Sequence, residues 1–97
     1  MATVVYAGRA LDHLEQAFDF IRRENPAAAG AAIRAIISAV TLLAEHPLAG
    51  RRVHADIREL VISFGATGFV ALYRFAPLRQ EVRILAIRHQ RELRYRP

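Results

Sequence analysis

The spacing of apolar residues changes period several times along this chain, and each change marks a new element. Thr3-Val4-Val5-Tyr6 is a β-branched and aromatic run closed by Gly8 and predicts a first strand. From about Arg9 to Glu24, Leu11, Leu14, Phe18 and Ile21 recur at helical spacing, so they share one face of a helix. Asp12, Glu15 and Asp19 lie off that stripe, and Arg22 and Arg23 occupy the last turn, where cations suit the helix dipole. Asn25-Pro26 then predicts a stop and a restart, with Asn as N-cap and Pro at the first helical position. The second helix is expected from Pro26 to about Glu45, roughly 30 Å long. Its apolar seam is Ile33, Ile36, Ile37, Val40 and Leu43, and Gly30 is expected to mark close contact with the first helix. Two helices joined by so short a break predict an antiparallel hairpin.

Beyond a loop at Pro47-Leu48-Ala49-Gly50-Arg51-Arg52 the pattern turns to strands. Arg58-Glu59-Leu60-Val61-Ile62 is one, and Phe69 to Phe75 is the next, with Phe69, Ala71, Tyr73 and Phe75 on one face. Glu81 to Ile87 is apolar on both faces, which predicts an internal strand. The expected order is β-α-α-β-β-β. This is one α+β domain over residues 1–97, with a helical hairpin packed on one face of a small, mainly antiparallel sheet.

Composition narrows the class. Apolar residues make up 54% of the chain, which excludes disorder. Cysteine is absent, which removes disulfides, thiolate nucleophiles and cysteine-metal sites together. No apolar run is expected to reach the roughly 20 residues of a bilayer span, and no leader pattern opens the chain, so a cytoplasmic protein with no membrane partner is expected. All fourteen basic residues are Arg. Up to Gly50 there are four arginines against five acids, net −1, and after it ten against four, net +6. A basic half on so small a domain points to an acidic or polyanionic partner.

Most catalytic chemistries lack their residues. The histidines at 13, 46, 54 and 89 have no metal-ligand spacing, so no metal site is expected, and His13, His46 and His54 read as surface or helix-end residues. His89, which follows the internal strand, is placed to meet residues of neighbouring strands. Gly50, Gly65 and Gly68 are isolated, so there is no phosphate-cradling loop, no nucleophile elbow is present, and no cofactor is expected. What remains is an array of arginines at 51, 52, 58, 74, 83, 88, 91, 94 and 96. Arginine grips phosphate and carboxylate but stays protonated and cannot act as a base. Proton abstraction from a 2′-hydroxyl would fall to His89, Glu59, Tyr73 or Tyr95. Arg83, on the internal strand, needs an acidic partner or an open edge.

The element order, the loop Pro47-Leu48-Ala49-Gly50-Arg51, the strand Arg58–Ile62, the segment Leu72-Tyr73-Arg74 and the run Ile84 to Glu92 together resemble the RelE/ParE superfamily of toxins from bacterial type II toxin–antitoxin modules, often called plasmid stabilisation proteins. The resemblance spans nearly the whole chain. It implies a cytoplasmic toxin neutralised by a cognate antitoxin, expected to be acidic with a DNA-binding amino-terminal part, whose carboxy-terminal segment folds on the helical hairpin. Leu14, Phe18 and Ile21 are the corresponding antitoxin-binding candidates. Two activities compete within the superfamily. A RelE-like toxin cuts mRNA on the ribosome with basic sheet residues and a carboxy-terminal tyrosine, for which His89, Arg91 and Tyr95 are the candidates here. A ParE-like toxin binds and poisons DNA gyrase without chemistry of its own, with Arg58, Tyr73, Arg74, His89 and Arg91 as target-binding candidates. Glu59 and Val61 stand where the ribonuclease's basic pair would be, and Val70 where it would carry an arginine, which favours gyrase. A non-toxic relic that keeps only the antitoxin-binding surface is the third reading.

Overall fold

The computed structural model describes residues 1–65 and 67–90. In chain order they form β1 (Thr3–Tyr6), α1 (Gly8–Glu24), α2 (Pro26–Thr41) extended by a 3₁₀ turn at Leu42–Ala44, β2 (Arg51–His54), β3 (Ile57–Phe64), β4 (Thr67–Ala76) and β5 (Glu81–His89). The strands make one mixed sheet in the order β1-β5-β4-β3-β2. β1 runs parallel to β5, and the other pairs are antiparallel. The α+β class and the hairpin on the sheet hold.

The sheet has one strand more than the pattern predicts. Arg51–His54 reads as loop because every one of its side chains is exposed, so it has no alternation between core and solvent. It nevertheless pairs with β3 as an edge strand, where a charged, bulged segment also discourages pairing with other chains.

Asn25 works at both helices. Its backbone N–H donates to Ile21 O at the end of α1, and its side chain accepts from the Ala28 N–H at 3.3 Å, with Pro26 at the head of α2. Arg22 and Arg23 do occupy the last turn of α1, but no acid lies in its first turn.

The core stripe of α1 is rotated from the one the large residues suggest. Ala10 is fully buried, and Leu14, Ala17 and Ile21 pack with it against the core, whereas Leu11 and Phe18 lie on the flank. Alanines at 10 and 17 let the helix axis approach the sheet, which the bulkier flank residues would prevent. On α2, Ile36 and Val40 are buried while Ile37 is exposed. A Cβ at Gly30 would meet only the flexible end of Arg34, so that glycine does not mark a contact with α1. Contrary to the expectation from composition, the 19-residue stretch Pro26–Ala44 is apolar and long enough to cross a bilayer, with a mean hydropathy of 1.8 over an 18-residue window. In this fold its apolar stripe faces β3 and serves the core.

β5 is internal, as its two apolar faces predict, and a bulge explains the pattern. Leu72 pairs with Ala86 and Tyr73 with Ile84, so Leu85 is an extra residue. The insertion shifts the alternation, and Val82, Ile84 and Ile87 all reach the core.

Candidate functional site

The resemblance-bearing loop is held by a built network. Arg58 and Tyr73 are direct cross-strand partners on β3 and β4, so their side chains share the helix-facing side. Tyr73 is 0% exposed. Its hydroxyl donates to Pro47 O at 2.9 Å and accepts from the Gly50 N–H at 2.8 Å. Arg58 Nη1 donates to Gly50 O at 2.7 Å and to Leu48 O at 3.3 Å. Both backbone groups of Gly50 are therefore taken up by side chains of the sheet. A Cβ at this position would sit 2.6 Å from Glu59 O and 2.7 Å from the Tyr73 ring, so only glycine fits. Gly50 is a requirement that the sequence reading missed, since it treated this glycine as isolated; its signal lies in the Pro-Leu-Ala-Gly-Arg motif. Tyr73 and Arg58 are thus supports of this loop. Tyr73 is corrected as a residue that could touch a target or a substrate.

Among the described residues, α1 and α2 lie on one side of the sheet only. Alternation from Arg58 and Tyr73 puts Glu59, Val61, Val70, Leu72 and Arg74 on the opposite side, joined by Arg83 and Arg88 of β5. Its arginines are largely matched by acids. Arg51 Nε lies 2.8 Å from Glu59 Oε1, Arg74 Nε 3.0 Å from Asp56 Oδ2, and Arg83 Nη2 3.2 Å from Glu81 Oε2. The Glu81 pair supplies the acidic partner that Arg83 was expected to need. Val61 and Val70, which stand at positions where the resemblance to a RelE-like toxin implied basic residues, face each other in register.

His89 lies opposite Phe69 in register, and the two rings meet edge-on with centroids 5.2 Å apart. Phe69 is a core residue, so His89 shares the helix-facing side and does not join the arginines of the open face. His13 also departs from its surface reading. It is half-buried, and its Nδ1 accepts from the Ile87 N–H at 3.1 Å. That N–H lies past the end of β1, and the bond ties α1 to β5; it requires the His13 proton on Nε2. The only signal in the sequence was His13's position beside the core stripe. Tyr6 has a buried hydroxyl with no hydrogen-bond partner among the described residues, and burial pushes its pKa up.

Arg91 and Tyr95 lie outside the described residues. Among the described residues no group of three or more His, Asp or Glu is placed to hold a metal ion. The three helix candidates do not form one open surface: Leu14 and Ile21 pack on the core, and Phe18, 37% exposed, stands beside them.

These features can be set beside known proteins. A family described as "ParE toxin of type II toxin-antitoxin system, parDE" matches residues 4–94. Toxin RelE3 of Caulobacter vibrioides is 39% identical over 94 residues, covering 97% of this chain and 100% of that protein. Among solved structures, the chromosomal ParDE toxin–antitoxin system from P. aeruginosa superposes with a TM-score of 0.76 at 24% identity, covering 92% of this chain and 96% of that one. The intact E. coli RelBE toxin–antitoxin complex gives a TM-score of 0.61 at 13% identity, covering 91% and 95%. With a matched family spanning almost every described residue and a fold shared with both ParDE and RelBE, the chain belongs to the ParE toxin family of type II toxin–antitoxin systems, within the RelE/ParE superfamily.

Proposed function

We propose that this toxin acts in the cytoplasm by binding DNA gyrase and trapping it on cleaved DNA, and that a cognate antitoxin neutralises it. One observation carries the choice of target. Of the described residues that the sequence offered for proton transfer, Glu59 is paired with Arg51, Tyr73 is committed to the Pro47–Gly50 loop, and His89 packs against Phe69 on the helix-facing side, away from Arg74 and Arg83. A surface built of matched ion pairs and the exposed apolar Val61 suits docking on a macromolecule better than making or breaking bonds. The match to the ParE family supports the same reading. An antitoxin partner is supported by the ParDE and RelBE assemblies, in which proteins of this fold occur with antitoxins.

Purified toxin is expected to inhibit gyrase supercoiling and to accumulate cleaved DNA, and addition of the antitoxin to reverse both. No inhibition at large molar excess would refute the gyrase target. A ribosome-dependent endoribonuclease is the second reading, favoured by the 39% identity to a protein named Toxin RelE3. Codon-periodic cuts in translated mRNA, mapped by primer extension after induction, would establish it in place of gyrase. Growth arrest on expression without antitoxin excludes the non-toxic relic.

A further inference from the structure

Across β4 and β5 the register sets Arg74 directly opposite Arg83. Each follows a fully buried residue, Tyr73 and Val82, so both project from the face opposite α1 and α2, and both side chains are 46% exposed. Like charges directly opposite one another destabilise a sheet. Here the cost is offset by one acid on each side, Asp56 from the β2–β3 turn and Glu81 from the start of β5. The contacts are Arg74 Nε with Asp56 Oδ2 and Arg83 Nη2 with Glu81 Oε2, and a guanidinium carries five N–H donors, more than one such contact uses. Ion pairs this exposed are weak and readily exchanged. His54 ends the same cross-strand row on β2, through Ile57.

We propose that Arg74 and Arg83 form a phosphate-binding site, taking one phosphate of a nucleic-acid backbone between them. Asp56 and Glu81 act as the counter-ions of the free state. Two guanidinium groups about 5 Å apart at their Cβ atoms present more donors than one carboxylate can accept. A phosphate has oxygens in a tetrahedral array, and can bridge both arginines. The site lies four residues along β4 from Val70, about 13 Å from the Val61–Val70 pair, and does not depend on which enzyme the toxin inhibits.

The test uses the full chain in two arms: anisotropy of a fluorescein-labelled DNA duplex of about 20 base pairs, measured over about 50–200 mM salt, and calorimetric titration with inorganic phosphate. Wild type is expected to bind the duplex, and Arg74→Gln/Arg83→Gln to bind about tenfold more weakly, with a salt slope shallower by about 0.9. Asp56→Asn should bind more tightly than wild type. Arg22→Gln/Arg23→Gln removes two charges from α1 and is expected to change affinity by less than about threefold. Circular dichroism confirms that each variant is folded. Binding of inorganic phosphate but not of duplex, lost in the Arg74/Arg83 variant, would keep the phosphate site and assign it to a free phosphorylated ligand. The proposal is overturned if wild type binds in neither arm, if the double variant binds like wild type, or if the α1 variant loses as much as the double variant. Because no gyrase is present, failure here is distinct from failure of the proposed target.

Discussion

Replacing Tyr73 with Phe isolates the chemistry of a single hydroxyl. The ring stays in place, so no cavity opens and the apolar burial of a residue at 0% exposure is unchanged. What disappears is a donor to Pro47 O and an acceptor for the Gly50 N–H, at 2.9 and 2.8 Å. Gly50 is buried and its N–H has no alternative partner on the described side chains, so it carries the desolvation penalty of an unmade bond. Pro47 is half-buried and recovers part of its loss from water. Taking about 1–3 kcal/mol for the buried donor and about 1 for the carbonyl, Tyr73→Phe should destabilise the fold by about 2–4 kcal/mol. For a domain of this size that is about 10–30 °C in melting temperature. Urea denaturation followed by circular dichroism measures it. Arg58→Met, examined alone and with Tyr73→Phe, should show coupling of about 0.5–2 kcal/mol, because Arg58 holds Gly50 O while Tyr73 holds Gly50 N. A Tyr73→Phe protein within about 0.5 kcal/mol of wild type at unchanged m-value would refute the latch.

Three further outcomes are expected. Gly50→Ala should cost at least about 2 kcal/mol in the same denaturation, because its Cβ would lie 2.6 Å from the rigid Glu59 carbonyl, and a smaller effect would show that the loop can shift. Tyr6→Phe should raise stability by about 1 kcal/mol by removing a buried hydroxyl that has no partner among the described residues. Burial raises the Tyr6 pKa above its usual 10.0 in the folded state, so its contribution is fully present below pH 10 and is lost as pH rises through the folded value. The variant should therefore lose less stability than wild type between neutral pH and the alkaline limit, and parallel pH profiles would contradict this. Phe18→Asp should stay folded and weaken antitoxin binding measured by calorimetry, whereas Leu14→Asp should unfold the chain by setting a charge against the core. Normal antitoxin affinity in a folded Phe18→Asp protein would remove Phe18 from that interface.

Much of this architecture is legible in the chain alone, because its causes act over a few residues. Helical periodicity, the Asn25-Pro26 junction and the alternation in β3 and β4 specify both helices and the strands that border the core. The surplus of arginine after Gly50 is read directly from the chain, and the motif-bearing segments carry the family resemblance. Other features depend on which segments become neighbours, and there local pattern is silent. Strand β2 has no buried face to betray it, and only its pairing with β3 makes it a strand. The extra residue at Leu85 decides which side chains of β5 reach the core and turns His89 toward Phe69. Tyr73, Arg58 and His89 look equally suited to a target surface in the sequence. Tertiary structure separates them, because hydrogen bonds joining residues 8 to 26 positions apart commit the first two to holding Pro47–Gly50. The pairing of Arg74 with Arg83, and of each with its own acid, is likewise a product of register, which short-range propensity does not encode.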